Sequence, residues 1–221
     1  MKYSWFNYNL KRNKEANKIY KFLKKTQINF IESGVYKNVR DIYALSLLIG
    51  KSKKNKIKVL DYGGNLMSHV NLINKISTKN IEISVFNPFI EKVPNNTFLK
   101  IKFLKNFNSK ANAKAFDLVY FGSVIQYLNT LKYFSGKKEV LKSSMVLITH
   151  TPISFGKKRY FLKQKNAKNL FQNIYTLRDI QKDLLKNKFN IIFKSINENK
   201  YTGLAKKYKD VYSANLLMKK K

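Results

Sequence analysis

The sequence predicts an α/β fold: a mostly parallel sheet of seven strands with helices on both faces, an antiparallel last strand and a helical N-terminal extension. Three observations carry this expectation. Seven runs of β-forming residues recur between residues 57 and 218, mostly separated by gaps long enough for crossover connections. Several of those gaps carry apolar residues at helical spacing. The last gap, 197–210, shows no clear helix, so the final strand is expected to return antiparallel to the one before it.

In chain order, Ala16, Ile19, Tyr20, Leu23, Ile28 and Ile31 recur at helical spacing across 11–32, and 39–49 continues the pattern. These two helices form the extension, 1–50. The basic polar stretch 51–56 opens the main domain, 51–221, and the abrupt apolar run 57–60 is its first strand. Further strands are expected at 81–86, 98–104, 116–121, 145–150, 189–196 and 212–218, with helices at 66–76, 124–134 and 177–188. Thr176, with Asp179 three positions on, is a variant of the capping box and marks the start of the last helix.

At 221 residues, with 44% apolar and 14% aromatic content, the chain has the makings of one folded domain with an appendage. It contains no cysteine, which excludes disulfides, thiolate metal sites and sulfur nucleophiles. Its two histidines, His69 and His150, stand in no cluster with metal-ligand spacing, so no metal is expected. The first residues lack the apolar run of a signal peptide, and no stretch approaches the roughly 20 apolar residues that span a bilayer. A cytoplasmic chain is expected.

The net charge is +33, from 45 basic and 12 acidic residues. A surface of that sign suits nucleic acid or an anionic membrane face. Only Arg12, Arg40, Arg159 and Arg178 are arginine, however, and arginine is the residue that grips phosphates and guanine edges bidentately. The scattered lysines, beside abundant Asn and Ile, read as drift on solvated faces.

The first strand ends in Asp61-Tyr62-Gly63-Gly64-Asn65. Adjacent glycines directly after a buried strand allow a sharp turn and a close approach of ligand to backbone, and the next helix offers unpaired N–H groups to an anion. A plain strand-to-helix turn uses the same residues. Asn65 and Met67 stand where a pyrophosphate-binding loop has further glycines, which disfavours NAD.

Three blocks together resemble one family: Asp61-Tyr62-Gly63-Gly64; Phe116-Asp117-Leu118-Val119-Tyr120-Phe121-Gly122-Ser123-Val124-Ile125-Gln126-Tyr127-Leu128; and Ile148-Thr149-His150-Thr151-Pro152. The resemblance, over roughly residues 35–218, is to class I S-adenosylmethionine-dependent methyltransferases, specifically a family often encoded among bacterial surface-polysaccharide genes. It implies a Rossmann-like fold and S-adenosyl-L-methionine as cofactor. The cofactor would be held by Asp61, Gly63, Gly64, Asn65, Asn87, Gly122 and Ser123, with the methionine carboxylate at the helix start and Asp61 near the ammonium and sulfonium. Gln126, Tyr127 and Thr151 would line the substrate pocket. Two departures stand out. Asn87 occupies the place where class I enzymes usually carry an acid on the ribose hydroxyls, and His150 replaces the arginine of a block that reads Asp-Arg-Thr-Pro in the family.

Methyl transfer to a hydroxyl needs alignment and removal of a proton, and His150, placed at the end of the fifth strand, is the candidate base. A histidine hydrogen-bonded in a strand-end turn is the plainer alternative. Ser123 is expected to cap the helix after strand four, with Gly122 keeping the backbone close to the cofactor. The leading expectation is O-methylation of a sugar or small molecule in cell-surface polysaccharide assembly. Two alternatives stand beside it: an RNA or DNA methyltransferase using the basic, aromatic-rich surface, and a degenerate, non-catalytic protein of the same fold that binds a partner.

Overall fold

A computed structural model describes residues 49, 52–63, 79–86, 101–104, 116–128, 131, 142–163, 171–196 and 208–221. They fall in two compact units, one within 9–109 and one within 110–221. Apart from Ile49, which is helical, the N-terminal extension lies outside the described residues, as do the helix expected at 66–76, Gly64, Asn65, Met67, His69 and Asn87.

The first unit contributes three parallel strands: β1 (Lys56–Tyr62), β2 (Asn80–Phe86) and β3 (Ile101–Phe103), in the order β3-β2-β1. Val59, Leu60, Asp61 and Tyr62 are buried in succession, so β1 is covered on both faces as a parallel strand is. Its β-branched and aromatic residues suit that position.

The second unit holds β4 (Leu118–Gly122), β5 (Met145–Ser154), β8 (Phe189–Ile196) and β9 (Val211–Lys220), in the order β4-β5-β9-β8. β4 and β5 run parallel, whereas β9 is antiparallel to both β5 and β8. The expected antiparallel closing strand is therefore present. β5 is longer than expected, continuing past residue 150 to Ser154 on its pairing with β9, with a parallel bridge from Ser154 to Thr176.

Two elements differ from expectation. Residues 124–134 do not begin an α-helix: a 3-10 turn, Ile125–Tyr127, is followed by Leu128 in extended conformation. The Leu128 carbonyl accepts bonds from Asn173 Nδ2 at 2.9 Å and Tyr175 Oη at 2.8 Å, which occupy the acceptor a continuing helix needs. Those donors belong to the second difference, an unforeseen antiparallel hairpin of β6 (Tyr160–Lys163) and β7 (Phe171–Ile174) forming its own two-stranded sheet. Burial pushes the Tyr175 phenol up to about 12, so it stays a neutral donor.

Helix α1 (Leu177–Lys186) forms as its sequence indicates, burying Ile180 and Leu184. Thr176 Oγ1 accepts from the Asp179 N–H at 3.0 Å while Asp179 Oδ2 accepts from the Thr176 N–H at 3.2 Å, a reciprocal capping box. Asp179 also accepts two bonds from Arg159, at 2.6 and 2.7 Å. That Arg159 contact, with help from Thr176, holds the Asp179 carboxyl at about 2, below its usual value of 3.8. The depressed value stabilises the fold above pH ~4 and the contribution is lost as pH falls through about 2. Asp179→Asn is expected to cost about 1 kcal/mol at neutral pH. Melting curves of the two proteins should converge as pH falls from about 4 to about 2; a gap that persists at pH 2 contradicts this linkage.

Candidate functional site

The parallel pairing of β4 with β5 ends at Gly122↔Thr149, where β4 ends and β5 passes through an irregularity before continuing to Ser154. Ser123 has φ 54° and His150 φ 49°, so two non-glycine residues on neighbouring strands sit in the left-handed region at the same level. That conformation costs an L-residue about 1–2 kcal/mol, and such strain persists only where surrounding bonds over-determine it. The bonds are present on both sides.

On the β4 side, the Ser123 N–H continues the ladder to the Thr149 carbonyl at 2.9 Å. Gln126, fully buried, donates through Nε2 to the Ser123 carbonyl and to Ser123 Oγ, both at 2.9 Å. Ser123 therefore does not cap the turn as expected. Val124 is the cap residue, without a side-chain bond, and the serine hydroxyl instead accepts from Gln126. Gln126 Oε1 is buried with no hydrogen-bond partner among the described residues.

On the β5 side, Ile148 pairs with Leu216 and Thr151 with Ala214, so Thr149 and His150 together oppose Asn215 alone. This is a β-bulge, the device that re-aims a side chain out of a regular ladder. Asn215 Oδ1 accepts the His150 N–H at 3.0 Å, and Asn215 Nδ2 donates to Ser195 Oγ at 3.0 Å, tying the bulge across β9 to β8. His150 is half-exposed, at the end of the parallel ladder though inside the longer β5.

Other predicted residues take packing positions. The place a Cβ would occupy at Gly122 is filled by the Tyr120 phenol, whose Oη would lie 2.7 Å away, and Tyr120 Oη in turn meets Thr149 Oγ1 at 2.9 Å. Gly122 thus makes room for Tyr120. Thr151 is buried and donates through Oγ1 to the Thr149 carbonyl at 3.2 Å. Tyr127 is half-buried, with Gln172 Nε2 3.5 Å from its hydroxyl. Gln126→Leu is expected to unpin Ser123, lowering stability by about 1–3 kcal/mol, measured by urea unfolding. Unchanged stability would mean the amide does not hold the turn.

In the first unit, Asp61 is 1% exposed near the end of β1, level with Val85 of β2. Gly63 follows with φ 79°, and its N–H donates to the Phe86 carbonyl at 2.7 Å, extending the ladder by one residue. Tyr62 packs beside Phe86, ring centroids 5.2 Å apart. A buried carboxylate followed by a left-handed glycine can place one charge and an open stretch of backbone at a strand's carboxyl end, where open α/β sheets bind ligands.

Sequence reasoning singled out Ser123, Gln126 and His150 but not Asn215 or Ser195. Asn215 carried a visible signal, a lone amide within the apolar run of 211–218. Among the described residues there is no cluster of three metal-ligating side chains, and no helix is long and apolar enough to cross a membrane.

Solved structures share this fold. The chain is similar to the (4+2)-cyclase SpnF, with a TM-score of 0.56 at 11% identity over 81% of each chain. It is equally similar to the geranyl diphosphate C-methyltransferase of Streptomyces coelicolor, solved with S-adenosyl-L-homocysteine: TM-score 0.56, 10% identity, 81% of this chain and 80% of that one. An S-adenosylmethionine-dependent methyltransferase of Methanosarcina mazei matches with a TM-score of 0.53 at 13% identity over 78% of this chain and 96% of its own. The fold is that of the class I methyltransferases. At these identities the likeness concerns the fold, and the methyltransferase fold carries a cyclase as well as methyltransferases among these neighbours. By sequence, no family profile and no curated protein matches the chain.

Proposed function

We propose that the chain is an S-adenosylmethionine-dependent methyltransferase that O-methylates a sugar or small molecule in cell-surface polysaccharide assembly. The observation that carries this reading is the pair of left-handed residues, Ser123 and His150, standing side by side where the β4–β5 ladder ends and pinned by buried amides. A fold that needed only a packed sheet would have no reason to hold two strained residues there.

The residues of the first unit fit the cofactor: Asp61 offers a buried carboxyl group and Gly63 an open left-handed backbone. Gly64, Asn65 and Asn87 are the sequence candidates beside them. When bound, S-adenosylmethionine supplies a methyl group on a sulfonium. The protein's own work is alignment and proton removal. His150, aimed by the bulge, takes the acceptor hydroxyl's proton on a ring nitrogen, and Asn215 keeps its backbone in place. The polysaccharide role rests on the resemblance of the three sequence blocks. Mass spectra of surface saccharides from cells with and without the gene test it: a loss of about 14 Da per modified residue supports the reading, and identical spectra contradict it.

A further inference from the structure

The β6–β7 hairpin stands beside the turn that carries Gln126. The register Phe161↔Asn173 and Lys163↔Phe171, with strand alternation, puts Phe161, Lys163, Phe171 and Asn173 on one face. The opposite face turns inward, with Gln172 3% and Ile174 1% exposed. Phe161 on the outer face is 51% exposed, and its ring stacks on Phe171 with centroids 4.9 Å apart and an interplanar angle of 2°. Asn173, on that same face, donates to the Leu128 carbonyl at 2.9 Å, which anchors the platform to the end of the turn. Beneath it, Asp210 accepts from Ser154 Oγ at 2.6 Å and Tyr160 Oη at 2.9 Å, fixing the start of the hairpin to the end of β5.

The two acids described beside the hairpin, Asp179 and Asp210, are both engaged, by Arg159 and by Ser154 and Tyr160. Between 155 and 175 stand Lys157, Lys158, Arg159, Lys163, Lys165 and Lys168, with no acidic residue. Arg159 is engaged by Asp179, whereas Lys157, Lys158 and Lys163 are exposed. A half-exposed aromatic ring with an exposed lysine on the same strand face is complementary to a planar ring joined to phosphate.

We propose that this face binds a nucleoside diphosphate carried by the methyl acceptor, the base stacking on Phe161 and Lys163 meeting the phosphates. The inference rests on the methyltransferase reading only for the word acceptor. A nucleic-acid strand fits less well, because it uses successive stacking platforms along a cationic groove and this face offers one.

The test is calorimetric titration of the full-length protein with uridine 5′-diphosphate, with and without saturating S-adenosylhomocysteine. Saturable binding is expected in both cases, tighter than for uridine or inorganic diphosphate alone. Phe161→Ala and Lys163→Ala, both at exposed positions, are each expected to weaken it about tenfold. Unchanged circular dichroism shows that the variants stay folded. The proposal is overturned if the diphosphate alone binds as tightly, if Phe161→Ala has no effect, or if S-adenosylhomocysteine displaces the nucleotide. It is also overturned if a twelve-nucleotide RNA binds more tightly than the nucleotide and loses that binding in Phe161→Ala. Binding of S-adenosylhomocysteine without the nucleotide sinks this inference and leaves the methyltransferase reading standing. Binding of the nucleotide without S-adenosylhomocysteine does the reverse, and binding of neither overturns both.

Discussion

Gly63→Val is expected to weaken S-adenosylhomocysteine binding at least about tenfold while lowering stability by only about 2 kcal/mol. Gly63 has φ 79°, and valine is among the residues that tolerate that region least. The strained chain relaxes by rotating the peptide plane, which breaks the 2.7 Å bond from the Gly63 N–H to the Phe86 carbonyl and moves the backbone that follows β1. Affinity depends on where that backbone lies, whereas the sheet keeps the rest of its ladder. Urea unfolding and calorimetry on the same preparation separate the two effects. Equal loss of both, or unchanged affinity, would remove Gly63 from the cofactor site.

His150→Ala is expected to lower kcat by about 10²–10⁴-fold with S-adenosylhomocysteine affinity unchanged, the signature of a general base. Asn215→Ala provides the companion measurement. It leaves the His150 N–H and the Ser195 hydroxyl without their partner and is expected to cost about 2–3 kcal/mol of stability. It should also lower kcat, by less than His150→Ala, because the bulge then aims His150 less well. A variant that is destabilised but turns over normally would make Asn215 a structural clip alone. A His150→Ala enzyme with normal kcat would show that the left-handed histidine serves the turn and not the proton.

The main strands were legible because each is a compact run of β-branched and aromatic residues, as in 57–60 and 116–121. The capping box at Thr176 was legible for a similar reason: its two residues act locally. What sequence missed depends on distant partners. The spacing of Val124, Ile125, Leu128 and Leu131 fits a helix, yet Leu128 is extended because its carbonyl is claimed by Asn173 and Tyr175 from a segment some 45 residues on. Local periodicity loses to tertiary bonding there. β6 and β7 are four residues each and only partly buried, so YFLK and FQNI present no continuous apolar run. Pro152 is accommodated within β5 because beyond Thr149 the strand is no longer paired with β4. Within the site, sequence picked out the strand ends and the residues Ser123, Gln126 and His150. It could not show that Tyr120 fills the space beside Gly122, that the Thr151 hydroxyl is engaged by its own strand, or that Asn215 holds the His150 backbone in a bulge.

The central claim is that the backbone after β1, at Asp61 and Gly63, forms part of a working cofactor site. Calorimetric titration of the folded, full-length protein with S-adenosylhomocysteine tests it most directly. One-to-one binding in the micromolar range, about −8 kcal/mol, is predicted, with the loss described above in Gly63→Val. No heat at millimolar ligand, from protein whose circular dichroism shows it folded, would contradict the account.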